Sequence, residues 1–180
     1  MRYLLSLLFL IIFTSACSKQ HEDENTSAVQ TDFPDQESWN ATILITKDGK
    51  IVGHLKAGHI EKYEKKQITL MDENIKVDFY NNEGVHTSVL TSEGGKVLDQ
   101  TQDMFAYGNV VVISDSGMTL YTDTLKWDNN NQKIISEIPI KITTEEGDTL
   151  YGDSFISDPN LKNREIINPH GKSSKSIKID

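Results

Sequence analysis

The chain repeats itself at a distance of 30 residues: residues 117–128 match residues 147–158 at Gly117/Gly147, Thr119/Thr149, Leu120/Leu150, Tyr121/Tyr151, Asp123/Asp153 and Asp128/Asp158. A weaker copy begins at Gly84 and includes Val89, Leu90, Thr91, Ser92 and Gly94. Within and around these units apolar and polar residues alternate, as in Ile75, Val77, Phe79 and again in Ile138, Ile140, Ile142. That period of two is the mark of half-buried strands. Turn chemistry punctuates the alternation at residues 47–49, 81–84, 93–95, 115–117, 128–131, 145–147, 158–160 and 169–171. Spacings of about ten to fifteen residues suit antiparallel hairpins and leave little room for helical crossovers. Helix is nearly absent from this reading, and even the Lys- and Glu-containing stretch 57–71 has β-branched residues and broken apolar spacing that favour strand. Hairpins that repeat cannot each bury an apolar face alone, so they must stack. The expected fold is all-β, an elongated sandwich or roll whose two sheets share one apolar seam. Its inward face is assigned to Ile68, Leu70, Ile75, Val77, Phe79, Val110, Val112, Leu120, Ile138, Ile140 and Ile142.

The N-terminus sets the compartment. Residues 3–13 are almost wholly apolar and follow a single Arg2, a run about half as long as the ~20 residues a membrane-spanning helix needs. Thr14, Ser15 and Ala16 then lead into Cys17. Residues 1–16 are read as a lipoprotein signal peptide cut before Cys17, which then carries the lipid. Residues 17–38 form a lipidated, acidic and flexible tether with too little apolar surface to fold. The folded domain is expected over residues 39–180.

The ordered motifs resemble the LptC family. They are Ile60 to Tyr63; Val77, Asp78, Phe79, Tyr80 and Asn81 with Gly84; Leu90, Thr91, Ser92 with Gly94; Tyr107, Gly108, Asn109, Val110, Val111; Thr119 to Asp128; and Tyr151, Gly152, Asp153, Ser154, Phe155. The resemblance implies a twisted antiparallel jelly-roll, open at its ends, that binds the acyl chains of lipopolysaccharide. It also implies partners: an inner-membrane ABC transporter of LptB, LptF and LptG that supplies the lipid, and an LptA-like bridge that receives it. A seam of Ile, Val, Leu and Phe suits acyl chains, since each buried methylene is worth about 0.8 kcal/mol and needs no hydrogen bond. The expected location is the periplasmic side of the inner membrane, held by the lipid anchor, with the outer membrane left open by Ser18. The C-terminal segment Arg164, Glu165, Ile166, Ile167 and Asn168 is expected to form an edge strand that pairs with the bridge protein. The competing reading is a lipid-anchored β-sandwich that binds glycan or protein through its surface.

Other chemistries find little support. One Cys excludes a disulfide framework and a thiolate zinc cluster, and 27 acidic against 18 basic residues oppose a nucleic-acid face. His54 and His59 are five apart, which on a regular strand places them on opposite faces and prevents joint chelation. Asp123 and Asp153 recur at equivalent positions and read as backbone caps beside turns more readily than as an acid/base pair. Trp39 and Trp127 read as closing the ends of the core. No enzymatic motif, metal site or cofactor is expected.

Overall fold

Asp48 and Gly49 take positive φ of 50° and 75°, the pair of left-handed conformations that a two-residue type I′ hairpin demands. They join β1 (Gln36–Lys47) to β2 (Lys50–Tyr63). Asn81 makes the next such device with its side chain, whose Oδ1 accepts from the N–H groups of Glu83 at 2.9 Å and Val85 at 3.0 Å. This turn connects β3 (Ile68–Tyr80) to β4 (His86–Leu98). The remaining strands are β5 (Asp103–Ser114), β6 (Met118–Asp128), β7 (Lys133–Ser136), β8 (Ile140–Thr144), β9 (Thr149–Gly152), β10 (Ser154–Ser157), β11 (Arg164–Ile167) and β12 (His170–Lys172). A computed structural model describes residues 33–159, 161 and 163–172. The expected signal peptide, Cys17 and the tether up to residue 32 lie outside the described residues, whereas Gln36 to Ser38, expected in the tether, pair with β2 as the start of β1, so the folded domain begins ahead of Trp39. Among the described residues there is no helix, and so none long and apolar enough to cross a membrane.

All pairings are antiparallel, and hydrogen bonds link every strand into one network. The network bends along one line. Register shifts fall between Lys56 and His59, Asp72 and Ile75, Thr91 and Gly94, and Tyr107 and Val110, so neighbouring strands break regularity at the same level. Bulges of this kind put an extra residue into a strand and turn its direction. They need backbone in the left-handed region, which Asn40, Glu73, Asn74, Gly108 and Asn109 supply with φ of 51°, 58°, 61°, 75° and 46°. β6 meets the line at Asp123, where its partner changes from β8 to β7. Beyond β6 the line coincides with interruptions: residues 137–139 between β7 and β8, Asp153 between β9 and β10, and Asn168-Pro169 between β11 and β12.

The line divides the sheet into two leaves. Leaf 1 follows β1-β2-β3-β4-β5-β6-β8-β9-β12, and leaf 2 follows β1-β2-β3-β4-β5-β6-β7-β10-β11. Side chains from both meet in one core that includes Leu55, Val77, Val112, Leu120 and Ile142 from leaf 1 and Ile60, Met71, Leu125 and Phe155 from leaf 2. The molecule is thus an all-β, antiparallel, open-ended jelly-roll. Its two layers are halves of the same strands.

The geometry corrects several expectations. Residues 93–95 are not a turn, because β4 runs through them. Gly94 is required there by a close approach, since a Cβ would come within 2.1 Å of the Tyr107 ring. The chain turns instead at residues 64–67 and 99–102, where Gln67 and Gln102 take φ of 54° and 59°. Ile138 stands ahead of β8, which starts only after Pro139, a residue with no N–H to donate. His54 and His59 both point outward: Leu55 and Ala57 face the core before the bulge at Gly58 and Ile60 faces it after, so the alternation shifts by one. Trp39 is 60% exposed and stacks on the His59 ring at 5.2 Å, so it closes no core.

Candidate functional site

Between the leaves the inward side chains form ordered rows. In leaf 1, Ile43, Leu55, Val77, Leu90, Val112, Leu120, Ile142 and Leu150 lie directly across from one another over eight strands. Leaf 2 opposes them with Ile60, Met71, Gly95, Ala106 and Leu125, again in register. The apolar strip therefore runs the whole width of the sheet from the β1 edge to the C-terminal strands. It is filled by its own side chains. Leu120 and Phe155 are fully buried, and a shallow cleft lined by Lys62, Glu64, Gln67, Asp99 and Gln100 lies away from the seam.

Of the expected inward residues, Ile75, Val77, Val110, Val112, Leu120, Ile140 and Ile142 are buried in this seam, and Phe79 packs half-buried at its margin. Ile68 and Leu70 sit on the other side of β3 from buried Met71 and face outward. Ile138 is half-buried in the β7–β8 connection, where its carbonyl accepts from Ser136 Oγ at 3.1 Å. The seam also draws on residues that period-two reading passed over: Leu55, Ile60, Met71, Leu90, Leu125, Phe155 and Leu161. The bulge line was the missing signal, because it shifts the parity within a single strand. Once an Asn or Gly is assigned to the line, the inward set on each side of it follows.

The polar groups that enter the seam are already engaged. Ser136 Oγ meets Thr122 Oγ1 at 2.9 Å, Ser92 Oγ donates to the Gly94 carbonyl at 3.0 Å, and Ser157 Oγ donates to the Asn163 carbonyl at 3.3 Å. Among the described residues no buried side-chain N or O lacks a partner. The seam offers dispersion and hydrophobic contact without an activated nucleophile or base. Asp123 and Asp153 lie on the bulge line, not beside the hairpin turns, and Asp153 accepts from Asn168 Nδ2 at 2.8 Å. The recurrent Asp therefore marks where a strand bends from one leaf to the other.

Among the described residues two ends of the sheet are open: β1 pairs there only with β2, and β11 and β12 end the two leaves at the other side. Arg164 to Ile167 form β11, with Asn168 at φ 50° leading out of it. Outside the seam the charges segregate. The outward positions of leaf 2 hold Glu37, Glu61, Asp72, Asp103, Asp128 and Glu165 against Lys96, Lys126 and Lys133. Near the β1 edge His59 bridges two of these, with Nε2 2.8 Å from Glu37 and Nδ1 3.1 Å from Asp72. The Glu37 hydrogen bond, more than the opposing desolvation, raises the His59 pKa above its usual value. Glu37, His59 and Glu61 also have ligand atoms within 4.8 Å of one another. Both nitrogens of the ring already face carboxylates, an arrangement that suits an imidazolium rather than a metal ligand.

Residues 3–150 match the family model for LptC, described as lipopolysaccharide-assembly, LptC-related. The chain belongs to the LptC family. No curated protein sequence matches it. Among solved structures it is similar to the crystal structure of LptH from Pseudomonas aeruginosa, described as the LptA homologous periplasmic component of the conserved lipopolysaccharide transport device. The sequence identity is 13% and the TM-score 0.49, over 63% of this chain and 80% of that one. LptC-family membership makes the protein a component of lipopolysaccharide assembly. The matched span ends within β9, so β10, β11 and β12 lie beyond the LptC match.

Proposed function

We propose that this LptC-family protein binds the acyl chains of lipopolysaccharide between its two leaves and relays the molecule from an inner-membrane transporter to a periplasmic bridge. The observation that carries the reading is the apolar row that crosses the sheet unbroken and runs out toward strands whose outer edges pair with none of the described residues. An acyl chain entering there trades water for methylene contacts at about 0.8 kcal/mol each. Entry needs the leaves to part, because the seam is filled, and the bulge line supplies the axis. The described leaves join only along that line and through side-chain packing. On this reading the LptB, LptF and LptG transporter delivers the lipid. β11 then pairs with an LptA-like bridge by main-chain hydrogen bonds, and Cys17 carries the acyl anchor that holds the protein at the inner membrane.

The filled seam favours a second reading, a lipid-anchored module that binds glycan or protein through its surface alone. Photo-crosslinking separates the two. A crosslinker at Val112 or Ile140 should capture lipopolysaccharide, whereas one at the outward Lys96 should not. Capture confined to outward positions, with Val112 and Ile140 silent, refutes the relay reading.

A further inference from the structure

On the outer face of leaf 1, four adjacent strands set Tyr121, Lys141, Tyr151 and His170 directly across from one another. Two residues along the same strands, Thr119, Thr143, Thr149 and Lys172 make a parallel row. Strands lie about 4.8 Å apart, so each row spans roughly 15 Å. The first row is a pile of alternating rings and charge. Lys141 Nζ stands 5.2 Å from the Tyr121 ring centre, and Tyr151 and His170 stack at 5.5 Å with 19° between their planes. Stacked this way, the rings turn their edges to solvent and present two phenol hydroxyls, an ammonium and an imidazole nitrogen. His170 Nδ1 donates to the Asn168 carbonyl at 3.2 Å, which directs Nε2 away from the backbone. Tyr121 and Tyr151 remain 39% and 41% exposed, large values for tyrosines in mid-strand.

The charge of this face runs against that of the chain. In a protein of net charge −9, the outward strand positions of leaf 1 carry Lys50, Lys56, Lys76, Lys141 and Lys172 against Asp78 alone. Asp78 is itself paired with Lys76 at 3.0 Å. Carboxylates return at the bulge line, with Asp123 and Asp153, and in the turns at the far end of the leaf, with Asp115, Glu145, Glu146 and Asp148. A hydroxyl-rich surface with more cations than carboxylates along its strands suits an anionic sugar: hydroxyls and imidazole meet its hydroxyl groups, and ammonium groups meet its phosphates. The strands that carry these rows also carry the seam on their other side, where Leu120, Ile142 and Leu150 back Tyr121, Lys141 and Tyr151. Both faces end together at β12, whose outer edge pairs with none of the described residues.

We propose that the rows Tyr121-Lys141-Tyr151-His170 and Thr119-Thr143-Thr149-Lys172 bind the phosphorylated saccharide of lipopolysaccharide, which folds around the β12 edge while its acyl chains occupy the seam. The inference rests on the carrier reading above and adds a headgroup site to it.

The test is an NMR titration of the full chain with phosphorylated core oligosaccharide freed of its acyl chains by mild acid hydrolysis. Shifts should concentrate on the two rows. The Lys141→Ser/His170→Ser variant, with both changes exposed, should bind about tenfold more weakly, while Lys96→Ser on leaf 2 binds as wild type. Lys172→Ser alone provides a second, milder loss should the double variant lose sheet content by circular dichroism. Phosphatase-treated oligosaccharide should bind weakly. The proposal is overturned if shifts fall on leaf 2, if inorganic phosphate binds as tightly as the oligosaccharide, or if phosphatidylglycerol vesicles bind the rows and the oligosaccharide does not. Crosslinking from Val112 reports on the carrier reading separately. Oligosaccharide binding without seam capture removes the carrier reading, and seam capture without oligosaccharide binding removes only the headgroup site.

Discussion

The first six strands and the last six solve the same corner in different ways. β1 to β6 pass from one leaf to the other as continuous strands of 11 to 14 residues, bent by bulges. β7 with β8, β9 with β10 and β11 with β12 make the same passage as pairs of short strands, three to five residues each, interrupted at the line. A continuous strand holds its ladder on both sides of the bend. An interrupted one depends on whatever its short halves bury, because so few ladder bonds hold each piece. The C-terminal half is therefore the part of the molecule where leaves separate at least cost, and it is also the part that ends in β11 and β12.

Breaking the packing of that half should have the largest effect. Phe155 on β10 is fully buried, and Phe155→Ala should cost about 3–5 kcal/mol. Met71 is buried on continuous β3, and Met71→Ala should fall toward the lower end of the roughly 2–5 kcal/mol range for such changes. Denaturant unfolding of both variants gives the comparison. Equal losses would show that the interruption carries no energetic consequence.

The next effect is on association. Ile166→Pro removes an N–H and distorts β11, so binding to a bridge protein of like fold should fall by an order of magnitude or more, about 1.4 kcal/mol at the least. Ile166 also packs against the core, so Ile166→Ala is the control that keeps the N–H while losing the side chain. Pull-down by the proline variant at the level of the alanine variant would remove β11 as the docking edge.

A third change sharpens the bulged half. Gly94→Ala places a methyl group against the Tyr107 ring, which must move, at about 1–3 kcal/mol. Pairing it with Tyr107→Ala should restore much of the loss, since the ring is the obstacle. A double variant no better than the single would point to the backbone at the bulge instead.

These differences also explain which parts of the fold were legible in the sequence. Alternation and turn chemistry were enough for an antiparallel β fold around one seam, because period two and left-handed turn residues are local properties. The side that each strand presents was not legible where a bulge intervenes. Parity alone puts Ile68 and Leu70 inward, yet the two left-handed residues Glu73 and Asn74 separate them from Ile75 and Val77. The recurrence of Asp123 and Asp153 was visible, but its meaning depended on the strand-to-strand register that only the folded chain supplies. Gly94 and Gly95 look like a turn in sequence because the Tyr107 ring that excludes a side chain at Gly94 comes from another strand.

The smallest expected effect lies at the opposite edge, on β1. His59 joins Glu37 of β1 to Asp72 of β3, and these two carboxylates hold its pKa above the usual value, Glu37 chiefly. A folded-state pKa above the unfolded one means that the charged ring favours the native state. Its contribution is fully present below the unfolded pKa, near 6.5, and is lost as pH rises through the raised folded value. The site is exposed, so the effect is small and screened by salt. It should appear as faster amide exchange in β1 at pH 8 than at pH 6, after correction for intrinsic rates, with little change in β3 or β4. His59→Gln keeps a polar side chain without the titration and should abolish that difference. The same pH dependence in the variant would place its origin elsewhere on β1 and leave the bulged edge as rigid in alkali as in acid so far as His59 is concerned.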